Sequence, residues 1–262
     1  MGVFPSKDCP CPINHVQDIF GNFSLFCGSG PFKIFESDVP TEMFFQIGLQ
    51  ETLNEDLCDL RVTIEQDDDS TQVFTIQNPN VSEDPFENNS IQFYSDIVRQ
   101  ITIECLGERD TFRCEGFWLS QIFLRGSNKD LDCECPVFVQ NRDNIPSLPG
   151  SSANFSLACG SDENTVFESN DPVDIIGQIL LNTVAAEDTD SCELRVVVDR
   201  DNGNDLVFQI PNPNTSPTTV EQNSVFYYAT NTRRVTLECL GGSGNGCQGV
   251  VTTFLVLRAA NR

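Results

Sequence analysis

Histidine is almost missing from this 262-residue chain: His15 is the only one. That removes most Ser–His–Asp triads, mixed His/Cys zinc sites and acid–base pairs built on imidazole. His15 itself reads as a solvated residue rather than a catalytic one. Lysine is scarce too, with three residues among 15 basic side chains, set against 39 acidic ones. The formal net charge is −24. A surface this acidic repels phosphate, which excludes nucleic acid as a partner, and an anionic membrane face with it. No apolar run approaches the roughly 18 residues of a membrane-spanning helix. No apolar core of a secretory signal follows the start Met1–Pro12, so neither membrane insertion nor a signal peptide is expected. Helical periodicity beyond two turns is absent as well. No glycine-rich phosphate loop, nucleophile elbow or paired-carboxylate motif stands out, and an enzyme is not expected.

What is present is cysteine and phenylalanine, 12 and 20 residues respectively. The chain is also written twice. Asp8-Cys9-Pro10-Cys11-Pro12 returns as Asp132-Cys133-Glu134-Cys135-Pro136. The segment around Asn22–Gly28 returns at Asn154–Gly160, and Cys58–Thr63 returns at Cys192–Val197. Ile103–Gly107 returns at Leu237–Gly241, and Cys114–Gly116 at Cys247–Gly249. Every cysteine of one half has a counterpart in the other. The extra residues of the second half fall at Ile145–Ser152, which reads as a flexible linker with two prolines. The expected domains are 1–126 and 127–262, each a connector followed by a folded repeat. Each half carries its own acidic excess, 21 acidic against 7 basic residues and then 18 against 8.

Period-2 alternation dominates both repeats. Leu60, Val62 and Ile64 alternate with polar neighbours, as do Ile101 and Ile103. Further strands are expected at Phe23–Cys27, Met43–Leu49, Val73–Ile76, Ile91–Tyr94 and Phe117–Leu124, separated by turn clusters at Gly28–Pro31 and Asp67–Ser70. Seven to nine short strands per repeat point to an all-β fold of two tandem antiparallel β-sandwich domains, jelly-roll-like. The only tryptophan, Trp118, follows the last cysteine of its half, so the Cys…Trp…Cys order of antibody domains is absent.

Parity places Cys27, Cys58 and Cys105 on inward faces. They read as disulfides or as buried thiols, which behave as small apolar groups. Structural zinc favours paired C-x2–4-C knuckles, and the spacings here are C-x-C and C-x8-C; no metal and no cofactor is expected. The cysteines of each C-x-C pair point to one side of an extended connector, so they suit bonds to other partners rather than to each other. Acidic neighbours Asp8, Asp132 and Glu134 disfavour a redox role. Cys9, Cys11, Cys133 and Cys135 are therefore the expected crosslink donors, between subunits or between domains. Cys27, Cys114, Cys159 and Cys247 are the expected acceptors. Cys58, Cys105, Cys192 and Cys239 are left for in-domain bonds or as buried thiols. If Cys133 and Cys135 bond to the first repeat of their own chain, Cys9 and Cys11 have no domain before them, and a head-to-tail contact between chains satisfies both. Such a contact need not close and builds a fibre.

With Cys9 and Cys11 in the connector, Cys27 on the first strand and Cys114 opening the last, this layout resembles the subunits of bacterial endospore appendages. The resemblance implies jelly-roll domains without a signal peptide, and connectors that crosslink into neighbouring subunits. It differs in carrying Cys-Pro-Cys where that family has adjacent cysteines, and in having two domains. The expected function is a structural subunit that self-assembles into a disulfide-crosslinked extracellular or spore-surface fibre, with copies of itself as partner and an anchoring or capping protein as a further one. A second reading is a two-domain module binding a carbohydrate or receptor, with intrachain disulfides only. Asp199, Asp201 and Asp205 mimic part of a calcium loop, though Ile210 stands where a Glu is needed and a hairpin turn explains them more simply. Five N-x-[ST] sequons begin at Asn22, Asn80, Asn88, Asn154 and Asn214; they matter only in a secretory pathway.

Overall fold

The computed structural model describes residues 15–50, 58–78, 89–107, 113–128, 133–141, 152–182, 193–201, 203–213, 222–241 and 246–258. Every regular element among them is a strand. The first half holds β1 (His15–Phe26), β2 (Phe32–Leu49), β3 (Cys58–Gln66), β4 (Thr71–Ile76), β5 (Asn89–Gly107) and β6 (Arg113–Asn128). The second holds β7 (Cys133–Asn141), β8 (Ser152–Ala158), β9 (Asn164–Asn182), β10 (Glu193–Arg200), β11 (Leu206–Pro211), β12 (Gln222–Leu240) and β13 (Gly246–Arg258).

Fewer, longer strands stand where the alternation suggests many short ones, because β2 and β5 each serve two layers. The N-terminal part of β2 pairs with the C-terminal part of β5, which pairs in turn with β3. The ladder then breaks between Glu36 and Met43. Past that irregularity, β2 lies between β5 and β6, and β6 also carries β1. Bulges of this kind bend a strand and let it pass from one layer of a sandwich to the other. In the second half β9 and β12 do the same, with register shifts between Ala229 and Thr236 and a left-handed Asn231 (φ 54°). The alternating positions behave as read: Cys58, Leu60, Val62 and Ile64 are all buried, as are Ile101 and Ile103.

The halves are not separate beads. The sheet order is β11-β10-β12-β9-β13-β7-β6-β2-β5-β3-β4, and it runs through both. Edge residues Phe226–Tyr228 of β12 pair in parallel with Phe35–Ser37 of β2, the one parallel ladder among the described residues. Phe226 is buried in the first half's core, with its ring centroid 4.6 Å from both Trp118 and Phe35. Beside it, side chains of β12 complete the open edge of β1. Asn223 accepts from the Ser24 amide (2.7 Å) and donates to the Ser24 carbonyl (3.1 Å). Ser224 accepts from the Asn22 amide and donates to the Asn22 carbonyl, both at 2.9 Å. The acidic excess of each half therefore does not keep the halves apart, because the joint is apolar and hydrogen-bonded.

Gly21 of β1 lies where this joint is tightest. A Cβ there would come within 2.1 Å of Ser224 Oγ and 2.2 Å of the Trp118 ring. Neither neighbour can retreat, since both are fully buried. Gly21→Ala is expected to destabilise the protein by about 1–3 kcal/mol, the usual range for overpacking, read as a lower urea midpoint.

Candidate cysteine centre

Four cysteines from four separate segments meet inside the first half. Cys27 follows β1 at a turn opened by Gly28, whose φ of +81° suits glycine. Cys58 starts β3, Cys105 lies near the end of β5, and Cys114 near the start of β6. All four are buried, and their Sγ atoms all lie within 4.8 Å of one another. The strand alternation explains the inward direction of Cys58 and Cys105. The β1–β6 register explains the rest: Cys114 faces Leu25 across that antiparallel ladder, two residues from Cys27.

Within this cluster Cys27 and Cys105 form a disulfide (Cα–Cα 4.6 Å), and Cys58 and Cys114 are free thiols. Cys105 thus forms an in-domain bond, but to Cys27, expected as a crosslink acceptor, because the turn after β1 brings that residue beside it; Cys58 stays a buried thiol. The Cys58 thiol donates to the Arg113 carbonyl and the Cys114 thiol to the Asp59 carbonyl (3.3 Å). The Asn78 side-chain amide points at Cys58 Sγ from 3.7 Å. Burial, reinforced by the neighbouring Cys58, pushes the Cys114 thiol far above its ordinary range. Burial thus disfavours the thiolate, the form that nucleophilic chemistry needs.

The second half repeats the cluster with a different pairing. Cys239 bonds Cys247 (Cα–Cα 5.7 Å), and Cys159 Sγ lies 3.2 Å from Cys239 Sγ. Cys247 Sγ sits 3.5 Å from the Glu193 carbonyl oxygen, the same placement as Cys114 Sγ beside the Asp59 carbonyl in the first half. Cys192 lies outside the described residues. Counted by repeat, Cys105 takes the Cys27 position as partner, and its equivalent Cys239 takes the Cys114 position.

Of the expected donors, Cys9 and Cys11 lie outside the described residues. Cys133 and Cys135 lie on β7, whose backbone pairs with β6 so that Cys133 faces Asn128 and Cys135 faces Gly126. From Gly126 back to Cys114 is roughly 40 Å along β6 at about 3.3 Å per residue. The structure thus does not bring the second connector to the first repeat's cluster in the same chain. It sets them at opposite ends of one strand. The same holds in the second half, where β7 pairs with Phe254–Arg258 of β13 while Cys247 sits near the other end of that strand. His15 opens β1 opposite Leu124, so β1 enters from the β7 end of β6. Of the expected linker Ile145–Ser152, residues 145–151 lie outside the described residues and Ser152 opens β8. β7 and β8 both pair with β13 as the unbroken β1 pairs with β6, so the extra residues interrupt a strand position of the repeat.

The calcium-like loop has other partners. Asp201 holds Arg233 through two contacts of 3.1 Å, and Asp199 holds Arg234 at 3.3 Å. Asp205 Oδ1 accepts from the Arg200 amide (3.4 Å). In the first half, Asp68 accepts the Ser70 amide across the equivalent hairpin, and the Ser70 hydroxyl, followed by this amide, holds its carboxyl below the usual range. Both loops behave as hairpin turns. Among the described residues, no helix is long and apolar enough to cross a membrane.

No protein-family model and no curated protein sequence matches this chain. Among solved structures, the chain is similar to the infectious bursal disease virus VP2 subviral particle at 11% identity and a TM-score of 0.30, over 99% of this chain and 75% of that one. It is similar to the PBSX exported protein XepA at 12% and 0.25, over 94% and 86%. N-glycanase F matches at 10% and 0.26, over 95% and 96%. Likeness at this level says nothing about role, and the all-β sandwich assignment stands on the strand pairings themselves.

Proposed function

We propose that this chain is a structural subunit that assembles head-to-tail into a disulfide-crosslinked fibre on an extracellular or spore surface. The observation that carries this reading is the polarity of β6 and β13. Their starts carry the cysteine clusters, and β7, with its Cys-x-Cys pair, joins their opposite ends. Bonds from Cys133 and Cys135 to a cluster therefore need a second chain, and a contact between unlike ends need not close on itself. Cys9 and Cys11 act in the same way at the entry to β1. Cys159 is the half-exposed member of its cluster, whereas Cys58 and Cys114 are buried, so Cys159 is the acceptor that a neighbouring connector reaches first. The net charge of −24 keeps finished fibres apart.

Non-reducing gels and negative-stain microscopy test this. The oxidised protein is expected to give a ladder of covalent multimers and filaments that dissolve only when reductant and denaturant are combined. The quadruple serine variant of Cys9, Cys11, Cys133 and Cys135 is expected to run as a single monomer band while keeping its fold. Oxidised wild-type protein that stays monomeric, with every bridge mapping within one chain, would overturn the fibre and leave the binding module.

A further inference from the structure

Four buried sulfurs within 4.8 Å of one another are more than two disulfides require, since each bridge asks only that its own pair be close. Ligands of a tetrahedral metal–sulfur centre must all be near neighbours: a zinc–sulfur bond of about 2.3 Å sets the sulfurs about 3.8 Å apart. Two further observations point the same way. The hub cysteine bonds a different member of the set in each half, Cys27 in the first and the counterpart of Cys114 in the second, so no single pairing is built into the repeat. The Asn78 amide, itself buried, directs an N–H toward Cys58 Sγ. An outer N–H donor of this kind stabilises a metal-bound thiolate and orients it.

We propose that, when its thiols are reduced, the first half binds a zinc-class divalent cation through Cys27, Cys58, Cys105 and Cys114. The chain is synthesised with free thiols, so no reductant is needed. The cation accepts four Cys Sγ electron pairs and four protons leave to solvent. A dication beside Cys114 reverses the effect of burial on that thiol, because a coordinated sulfur is deprotonated outright. Soft thiolate donors select zinc over calcium or magnesium, and the burial of all four closes the site to substrate, so the centre is structural. The knuckle spacings that argue against zinc in the sequence do not apply, because each ligand comes from a different segment. In the proposed fibre, such a metal confines the crosslink acceptors to the second half.

The test uses full-length protein purified anaerobically with a small thiol reductant, with zinc per chain measured by elemental analysis. Chelator-treated protein is titrated with Co2+, and the sulfur-to-cobalt charge-transfer and tetrahedral d–d bands are read. Cys58→Ser and Cys114→Ser are each expected to lower bound zinc by one equivalent per chain and to weaken Co2+ binding at least tenfold. Cys9→Ser/Cys11→Ser is expected to change neither. Should the serine variants fail to fold, Cys58→His keeps four ligands and is expected to retain the metal with shifted cobalt bands. Reduced wild-type protein that holds no zinc and gives no cobalt bands would overturn the proposal, as would a zinc content untouched by Cys58→Ser and Cys114→Ser. A protein that binds zinc but never polymerises keeps this inference and loses the fibre, so the two fail separately.

Discussion

Phe226→Ala is expected to remove about 3–5 kcal/mol of stability, the range for truncating a fully buried aromatic residue. Phe226 is 0% exposed and belongs by sequence to the second half, yet its ring stacks on Trp118 and packs tilted against Phe35 of the first, with Phe45 at 6.4 Å. Truncation leaves a cavity lined by rings held on different strands, which cannot collapse together. Because Trp118 is the only tryptophan, its fluorescence reports this joint directly. The wild type should unfold in one urea transition. In Phe226→Ala the transition seen by Trp118 should shift to lower urea and separate from the transition seen by circular dichroism, as the halves uncouple. An unchanged midpoint would mean that Phe226 does not hold the halves together. Phe226→Leu, which refills most of the volume, should recover more than half of the loss.

The second large effect is expected at Asp38, in the bend of β2. Its side chain is 8% exposed and that of its partner Arg200 is 9% exposed. The Asp38 carboxylate accepts from Arg200 Nη1, from the Thr230 hydroxyl and from the Thr230 amide, the last at 3.0 Å. Removing it leaves a nearly buried guanidinium without its counter-charge and a backbone N–H without its acceptor. Asp38→Ala is expected to cost about 3–5 kcal/mol, the range for breaking a buried pair from one side. Asp38→Asn should cost less, since its carbonyl can still accept from the Thr230 amide. The double variant Asp38→Leu/Arg200→Met should also cost less than Asp38→Ala alone, because no unpaired charge then stays in the joint. Thermal unfolding of the four proteins checks the order; equal losses for Asp38→Ala and the double variant would show that the ion pair is not the source.

The two residues share a position in the fold that local patterning cannot reveal. Counting from the matched Cys105 and Cys239, the first-half counterpart of Phe226 is Gln92, an exposed residue. The counterparts of Trp118 and Phe45 are Val251 and Gly177. The repeat therefore conceals its own joint: the contact depends on residues that the two copies do not share. Asp38 and Arg200 sit at irregular points of their strands, where alternation says nothing about direction.

The cysteines divide along the same line. Strand parity alone was enough to turn Cys27, Cys58 and Cys105 inward and to place Leu60, Val62 and Ile64 in the core, because a period of two is a local property of extended backbone. The all-β class and the sixfold matching of cysteines between repeats were legible for the same reason. Partner choice was not. Cys27, Cys58 and Cys105 are separated by tens of residues, Cys114 follows Cys105 on the next strand, and their meeting depends on β2 and β5 bending from one layer to the other. The distance between Cys135 and Cys114 depends on β7 pairing with the far end of β6 rather than lying beside the cluster. One histidine and twelve cysteines had already drawn attention to sulfur. Which sulfurs meet, and at which end of the molecule, was settled by strand bending and ladder register, which act across the chain and leave no periodic trace along it.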